Sequence, residues 1–306
     1  MIMITKEDFL SANALGVWKL VDEAHPLKIY VGVDENGHYA LEYVGLFTYN
    51  KNVKSSKIIE INYYKMSSNE KSMVISLADN SCLKEFCFFC NDIVESTSKL
   101  SKYSKKGYES ICNLYFTWQR MFKSQKDILS EHKIKGLLGE LLFLKNEMFP
   151  VWGVNCSISS WSGPDYSKKD FSLGNTWFEV KTIEFGKNTV EISSIEQLES
   201  PMEGVLAVYQ VERMAPEYNG VTISVIIDEI IREITSLHDK ENFLEKLHNI
   251  GFHFSEEYDD YVYDIRNLTK YKVDGSFPKI SRNSLHKAIA KATYEITLSD
   301  ILIFKI

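Results

Sequence analysis

The sequence predicts a mixed α/β (α+β) protein, on three observations. Alternating apolar and polar residues recur over the first 80 positions, which indicates strands. From Leu83 onward, apolar residues recur at helical spacing. Strand-like runs then return between Phe171 and Val211, before further helices and strands. This order predicts two domains: a β-rich region with helices over residues 1–120, and an α/β domain over residues 121–306.

The N-terminal half divides at turn residues. Strands are predicted at 26–33, 38–47, 57–64 and 73–77, with an Asp-Glu-Asn-Gly turn at 34–37. Helices are predicted from Leu83, over about 108–122, and over about 127–147. Pro150, Gly153 and Gly163-Pro164 then predict an irregular connection, because these residue types interrupt regular elements.

The C-terminal half begins with short strands. They are predicted at 171–173, 176–183, 189–193 and 205–211. Two helices follow at 222–236 and 240–250, and the second is expected to stop at Gly251. The tail is predicted to return to strands near 258–265 and 292–305.

Composition excludes several classes of protein. The chain has 306 residues, 44% hydrophobic and 25% charged, which is typical of a globular protein. Its apolar runs are far shorter than the roughly 20 residues of a membrane span. The first residues lack the basic and apolar regions of a signal peptide. Five cysteines are sparse for this length, which favours a reducing compartment. The sequence therefore predicts a cytoplasmic protein without a membrane partner.

The Cys87-Phe-Phe-Cys90 segment has the spacing of half a zinc site. It lies in a predicted helix on an apolar face, and no second Cys/His pair follows it. Since zinc needs four ligands, these cysteines are predicted to be core residues.

Charge is strongly segregated along the chain, although the net charge is -7. Residues 101–145 carry nine Lys or Arg against four Asp or Glu, and residues 266–291 carry seven against one. Residues 212–260 carry four basic against twelve acidic residues. The basic blocks predict a cationic face suited to phosphate contact, while the alternative is ordinary solvated helix surface.

The chemistry centres on a predicted hairpin at residues 170–182. Gly174-Asn175 between two strand-like runs predicts a two-residue turn, of type II′ with Gly first. In that register Phe171 faces Phe178 and Asp170 faces Glu179. Lys181 points to the same side as Glu179, because side chains alternate along a strand. The pattern therefore brings two carboxylates and an ammonium group to one face.

Two adjacent carboxylates repel each other unless a cation or proton lies between them. Mg²⁺ prefers such oxygen ligands and keeps water molecules in its coordination shell. A neighbouring lysine could orient or deprotonate the attacking water during phosphoryl chemistry. The alternative is a cross-strand salt bridge on a solvent-facing surface.

Two further polar residues are candidates for the same site. Glu140 lies in an apolar helical run, so it is expected to be partly buried and to find a metal, water or a cation. The alternative for Glu140 is a surface position on an amphipathic helix. Gln197 follows a predicted Ser N-cap and could reach the site, or could lie on a helix surface.

These segments together resemble the PD-(D/E)XK motif proteins, a bacterial family of the restriction-endonuclease-like superfamily. The resemblance covers about residues 105–306. The segments that carry it are Gly136-Leu-Leu-Gly-Glu140-Leu, Trp161-Ser-Gly-Pro, Asp170-Phe, Glu179-Val-Lys181-Thr, Ser194-Ile-Glu-Gln197-Leu, and Tyr271-Lys-Val with Phe277-Pro278. It implies a nuclease core, a mixed four-stranded sheet flanked by helices. Such proteins are often encoded beside DNA methyltransferases and other defence proteins, which are therefore candidate partners.

The resemblance also implies roles for individual residues. Asp170, Glu179 and Val180 are implied metal positions, and Lys181 is implied at the attacking water. Glu140 is the implied helix carboxylate, and Gln197 a supporting residue. Asp165, in the literal Pro164-Asp165 dipeptide, also fits the loose spacing of the superfamily. Asp170 is favoured, because the hairpin register places it opposite Glu179.

The sequence thus predicts a Mg²⁺-dependent endonuclease, with Mn²⁺ as a substitute ion, acting on double-stranded DNA in bacterial restriction or antiphage defence. The alternatives are a non-cleaving DNA-binding or scaffolding subunit with the same fold, and a structure-specific nuclease or RNase. A homodimer would suit cleavage of both strands. The candidate DNA-backbone contacts are Lys135, Lys270, Lys272, Lys279, Arg282 and Lys287.

Overall fold

The computed structural model describes residues 3–11, 14–50, 53–67, 69–102, 104–119, 121–122, 128–162 and 169–306. The chain divides into two units. The first comprises Met1–Asp127, Thr235–His248 and His253–Ser255, and the second comprises Ile128–Ile234, Asn249–Phe252 and Glu256–Ile306. The assignment of residues 1–120 and 121–306 as separate domains stays a prediction.

Helices and strands alternate in long blocks along the chain. The strands are β1 (Val17–Leu20), β2 (Lys28–Val33), β3 (Tyr39–Gly45), β4 (Ile59–Lys65), β5 (Lys71–Leu77), β6 (Phe171–Leu173), β7 (Thr176–Glu184), β8 (Thr189–Ile192), β9 (Gly204–Met214), β10 (Val262–Val273) and β11 (Tyr294–Thr297). The helices are α1 (Lys6–Leu10), α2 (Leu83–Thr97), α3 (Lys106–Trp118), α4 (Glu131–Phe143), α5 (Phe149–Ser160), α6 (Ile223–Glu233) and α7 (Leu237–Ile250). The predicted α+β class is therefore confirmed.

The first unit contains an antiparallel sheet in the order β1-β2-β3-β5-β4. Helices α2 and α3 bury apolar residues at helical spacing, among them Phe86, Phe89 and Ile111. Cys90 is buried and Cys87 half-buried on α2, and all five cysteines of the chain are free thiols. The interpretation of the Cys87/Cys90 pair as core residues fits these positions.

The second unit contains a mixed sheet in the order β10-β9-β7-β6. Strands β7 and β9 are parallel, and the other neighbours are antiparallel. Strands β8 and β11 form a separate antiparallel pair. This arrangement matches the mixed four-stranded core that the family resemblance implied.

Helix α4 contacts β7 closely at Gly139. A Cβ atom built on Gly139 would come within 1.9 Å of Thr182 Oγ1, so only glycine fits without movement. The close approach brings the next residue of the helix, Glu140, beside the strand that carries Glu179 and Lys181. Close packing at a glycine thus positions the site.

The connection after α4 is more helical than the sequence predicts. We expected a helix to about residue 147 and then an irregular connection at Pro150 and Gly153. The chain instead passes through a π-helical turn at Leu144–Met148 into α5. Pro150 lies in the first turn of α5, where its missing N–H leaves no intrahelical bond unmade. Gly153 breaks the helix locally with φ 75°, while Gly163-Pro164, the other part of the expected connection, lies outside the described residues.

The C-terminal strands also differ from the prediction. The strand expected at 258–265 runs over Val262–Val273, and the one expected at 292–305 ends at Thr297. Residues Leu298–Phe304 form 3₁₀ turns, with Leu298 and Ile301 buried. None of the helices in the described ranges is both long enough and apolar enough to cross a bilayer.

Candidate active site

The hairpin of β6 and β7 has the predicted register. Phe171 pairs with Phe178, Ser172 with Trp177, and Leu173 with Thr176. Gly174 adopts φ 57° in the two-residue loop, a value that favours glycine. Asp170 directly precedes β6, and Glu179 follows Phe178 in β7.

Packing against α4 fixes the orientation of the hairpin. The ring of Phe143 lies 5.4 Å from that of Phe171 and 5.3 Å from that of Phe178, measured between centroids. These aromatic residues and Val180 are buried. Because side chains alternate on β7, Glu179 and Lys181 point to the opposite side from Phe178 and Val180.

Asp170 accepts a hydrogen bond from the backbone N–H of Val180, at 2.7 Å. Burial raises the pKa of its carboxyl group, while this hydrogen bond and the charges of Lys181 and Lys169 oppose the rise. The bond ties the carboxylate to the strand that carries the other acidic residue. The alternative aspartate, Asp165, lies outside the described residues, so the choice between the two stays a prediction.

Glu179 is 1% exposed, yet neither carboxylate oxygen accepts a hydrogen bond from the residues that the structure describes. Lys181 Nζ lies 2.9 Å from Glu179 Oε1, so the two side chains form an ion pair. Burial and the charge of Asp170 raise the pKa of Glu179 well above its usual range. A buried acidic group left in this state is costly, which marks it as a functional candidate.

Glu140 reaches the site from α4. Its Oε2 accepts a hydrogen bond of 2.8 Å from the indole N–H of Trp161, a fully buried residue. Burial and the charge of Asp170 raise the pKa of Glu140 to about 8. The prediction that Glu140 is not on an exposed helix face is therefore confirmed.

Lys181 is held on its other side by Gln197. Its ammonium group donates to Gln197 Oε1 at 3.1 Å, and the same oxygen accepts from the backbone N–H of Ser193 at 2.8 Å. Gln197 lies in a short 3₁₀ turn at Ile195–Gln197, not in the longer helix that its sequence suggested. The structure thus brings Asp170, Glu179, Lys181, Glu140 and Gln197 together, with Val180 between the two charged residues of β7.

Lys169 is a residue of the site that the sequence analysis missed. Its ammonium group donates to the backbone carbonyl oxygens of residues 196, 197 and 199, at 2.7, 2.7 and 3.1 Å. It also lies 3.7 Å from the centroid of the Trp177 ring. Burial lowers the pKa of Lys169 to about 8. Its position directly before Asp170 was the only available signal.

The donor chemistry of the site fits a hard divalent cation. The buried carboxylate of Glu179 and the carboxylate of Asp170 supply the oxygen ligands that Mg²⁺ prefers. Within the described ranges, no group of three or more His, Cys, Asp or Glu side chains is arranged to hold a metal ion. The fit therefore rests on two carboxylates and the backbone carbonyl of Val180.

Five of the six candidate DNA-contact residues have partners within the protein. Lys135 pairs with Glu184, Lys270 with Glu147, and Lys272 with Glu203. Lys279 donates to the carbonyl oxygen of Asp274, Arg282 donates to those of Ile289 and Ala290, and Lys287 is exposed.

Two of these residues lie beside the acidic site. The charge of Lys279 helps to lower the pKa of Lys169. The guanidinium group of Arg282 lies 3.8 Å from the carboxylate of Glu196, next to Gln197 in the chain. The basic 266–291 block therefore contributes charge at the edge of the site.

A mixed sheet with two carboxylates and a lysine on a hairpin defines the class of restriction-endonuclease-like proteins. The family model described as "Putative PD-(D/E)XK family member, (DUF4420)" matches residues 15–299 of the chain. The chain therefore belongs to this PD-(D/E)XK family. Searches of curated proteins and of solved structures gave no significant match.

Proposed function

We propose that the protein is a metal-dependent endonuclease that hydrolyses DNA phosphodiester bonds in a bacterial restriction or antiphage defence system. The observation that carries the proposal is the group of charges around the hairpin: the charge of Asp170 acts on Glu179, and Lys181 Nζ lies 2.9 Å from Glu179 Oε1. Membership of the PD-(D/E)XK family supports a nuclease activity. The DNA substrate, the metal and the defence role are parts of the proposal.

The metal site of the proposal uses oxygen donors. Asp170, Glu179 and the carbonyl oxygen of Val180 would hold Mg²⁺ or Mn²⁺, which supplies stabilisation of the charge that develops on the phosphate. Glu179 Oε1 is paired with Lys181, while Oε2 has no hydrogen-bond partner among the described residues and is available as a ligand.

The proposed reaction is attack of water on the scissile phosphorus, with cleavage of one bridging P–O bond. Lys181 Nζ lies between Glu179 Oε1 and Gln197 Oε1, so it is placed to orient the water and to offset its developing negative charge. Glu140, held by Trp161, borders Asp170 on the helix side. In the proposal Lys181 therefore positions the water, and Glu140 borders the acidic group from α4.

Charge at the edge of the site supports a nucleic-acid substrate. Lys279 and Arg282 would contact phosphates without reading sequence. We expect charge reversal at Arg282 to weaken binding to all sequences alike, with binding falling by roughly 0.9 log units per log unit of salt for each phosphate neutralised.

The decisive experiment incubates the protein with plasmid DNA, phage DNA and RNA, with Mg²⁺, with Mn²⁺ or with a chelator. We expect DNA cleavage only with a metal ion. Lys181→Ala should lower the rate by about 10² to 10³-fold, the range for loss of one group that stabilises developing charge. The matched control is Lys187→Ala, an exposed lysine in the turn that follows the same strand.

Three results would contradict the proposal. Cleavage of RNA alone would make the protein a ribonuclease. Metal-independent DNA binding without any cleavage would support the non-cleaving DNA-binding or scaffolding subunit. Equal cleavage by Lys181→Ala and wild type would remove the site from the reaction.

A further inference from the structure

Lys169 connects two segments of the site that are distant in the chain. It directly precedes Asp170, and its ammonium group donates to three carbonyl oxygens of the turn that contains Gln197. An ammonium group has three donors and no acceptor, so this one group can bind all three oxygens. The contacts join the start of the hairpin to residues 196–199.

The same turn is held at a second point by Trp177. The indole N–H of Trp177 donates to the carbonyl oxygen of Met202 at 3.0 Å, and the ring lies beneath the ammonium group of Lys169. Two apolar residues of the turn, Ile195 and Leu198, are fully buried. The segment 195–202 is therefore fixed to the hairpin at both ends.

The position of the turn determines the position of Gln197. Its side-chain oxygen accepts from both Ser193 N and Lys181 Nζ, so it has one defined orientation. A displacement of the backbone at 196–199 would move this oxygen and leave Lys181 without it. The chain of contacts runs from Lys169 through the turn to the ammonium group of Lys181.

We propose that Lys169 is a positioning residue for Lys181: it clamps the 196–199 backbone to the hairpin and so sets where Gln197 holds the Lys181 ammonium group. The consequence for cleavage rests on the proposed nuclease function, whereas the clamp itself does not. Trp177 supplies the surface on which the clamp lies, since a cation over an indole ring is attracted by it.

The test compares Lys169→Met and Lys169→Arg with wild type in the full chain. Methionine keeps the apolar stem but has no donor, while arginine keeps donors for the carbonyl oxygens and can stack on Trp177. Lys145→Met is the matched control, a half-buried lysine of the same unit that pairs with Glu229. All variants are first compared by thermal melting.

Two readouts do not need nuclease activity. Hydrogen–deuterium exchange of the 195–203 backbone should be faster in Lys169→Met. Labelling of the Lys181 amine by a small acylating reagent, followed by mass spectrometry, should be about tenfold faster, the size expected for loss of a hydrogen bond to a charged group. Gln197→Ala should give the same increase, and the double variant no more than either alone.

Lys169→Arg should restore slow labelling. Faster exchange with unchanged Lys181 labelling would overturn the proposal, because Lys169 would then only stabilise the turn. If the wild-type protein cleaves nucleic acid, Lys169→Met should lower kcat with little change in KM, and a change in KM alone would also overturn it. If the wild type does not cleave, the labelling result still decides the clamp, and only the proposed function fails.

Discussion

Each unit of the protein buries a carboxylate, and the two carboxylates differ in the hydrogen bonds they accept. In the first unit Asp92, 5% exposed, accepts hydrogen bonds from Trp118 Nε1 at 2.7 Å and Ser96 Oγ at 2.9 Å, and pairs with the buried Lys240. In the second unit Glu179, 1% exposed, accepts none from the described residues. Burial alone therefore does not separate a structural carboxylate from a functional one. The two kinds of carboxylate differ in whether their oxygens accept hydrogen bonds.

The physical reason lies in the cost of burying charge. A buried ion with all of its charge and hydrogen-bond partners can hold a fold together. A buried ion without these partners lowers the free energy of unfolding. Asp92 joins α2, α3 and α7 of the first unit. Glu179 accepts no hydrogen bond from the described residues, and the charge of Asp170 adds to its cost of burial, while the ion pair with Lys181 opposes that cost.

The largest expected effect is the loss of cleavage in Glu179→Gln. We expect cleavage to fall by about a thousandfold, because the variant removes a ligand and a charge that act on the transition state. Stability should not decrease, because burial and the charge of Asp170 already disfavour the charged form of Glu179, and the amide carries no charge. Plasmid cleavage and thermal melting measure the two outcomes.

The control for Glu179→Gln is Glu184→Gln, at the exposed end of the same strand. It should leave cleavage unchanged. A large loss of stability in Glu179→Gln would mean that Glu179 is a structural residue like Asp92, and the comparison would fail.

The opposite outcome is expected for Asp92→Ala. The variant leaves Lys240 buried without its charge partner, which costs about 3–5 kcal/mol of unfolding free energy. Urea unfolding measures this loss, and Asp92→Asn should lose less because it keeps an acceptor for Trp118. A loss below about 1 kcal/mol, the level of an exposed ion pair, would contradict the structural role.

Sequence predicted the parts of this site that depend on local geometry. Gly174-Asn175 determines the hairpin register, and the residues just beyond the paired positions, Asp170 and Glu179, lie near enough for the charge of one to act on the other. The apolar run around Glu140 places that residue in a buried helix for the same reason. Turn type and side-chain alternation act over a few residues, so they can be derived from the chain alone.

The features that the sequence did not predict depend mainly on contacts between residues distant in the chain. Nothing in the sequence indicates that Trp161 donates to Glu140 or that Lys169 reaches 196–199. The basic residues show the same limit: composition gives the sign of the charge, but not that Lys270 and Lys272 are paired with acidic residues. Helix α5 was missed because its first-turn proline and local break at Gly153 have the composition of a loop.

A smaller effect is expected where α4 approaches β7. Gly139→Ala should cost about 1–3 kcal/mol, because its Cβ would come within 1.9 Å of Thr182 Oγ1. The added Thr182→Ala change should recover most of this, since Thr182 Oγ1 has no hydrogen-bond partner in the described residues. Chemical denaturation measures both variants.

Gly136→Ala is the matched control on the same helix. A Cβ atom there meets nothing within 4 Å, so alanine should stabilise the helix by up to about 1 kcal/mol. If Gly139→Ala were stabilising like Gly136→Ala, α4 would not lie as close to β7 as described. The placement of Glu140 beside β7 would then also be wrong.

The last prediction adds a third buried carboxylate, Glu85 on α2, to the comparison. It is 1% exposed, its Oε2 has no partner among the described residues, and burial raises its pKa to about 8 from an ordinary value of 4.5. Between these two pH values the folded protein keeps a proton that the unfolded chain has lost, so unfolding free energy falls as pH rises. Glu85→Gln carries no such proton and should melt above wild type at pH 8.5, with no difference at pH 4.5.

Glu109→Gln, an exposed first-turn position on α3, should keep the wild-type dependence on pH. At Glu179 the charge of the neighbouring Asp170 is second only to burial in raising the pKa. At Glu85 the charge of Asp79 influences the pKa less than burial and hydrogen bonds do, so we expect Mg²⁺ not to change the effect of Glu85→Gln. The same melting curves with Mg²⁺ test this directly. If Mg²⁺ raised wild-type stability at pH 8.5 and Glu85→Gln removed that gain, an unpartnered buried carboxylate would bind the ion by itself. The neighbouring Asp170 would then not be needed to explain a cation at Glu179.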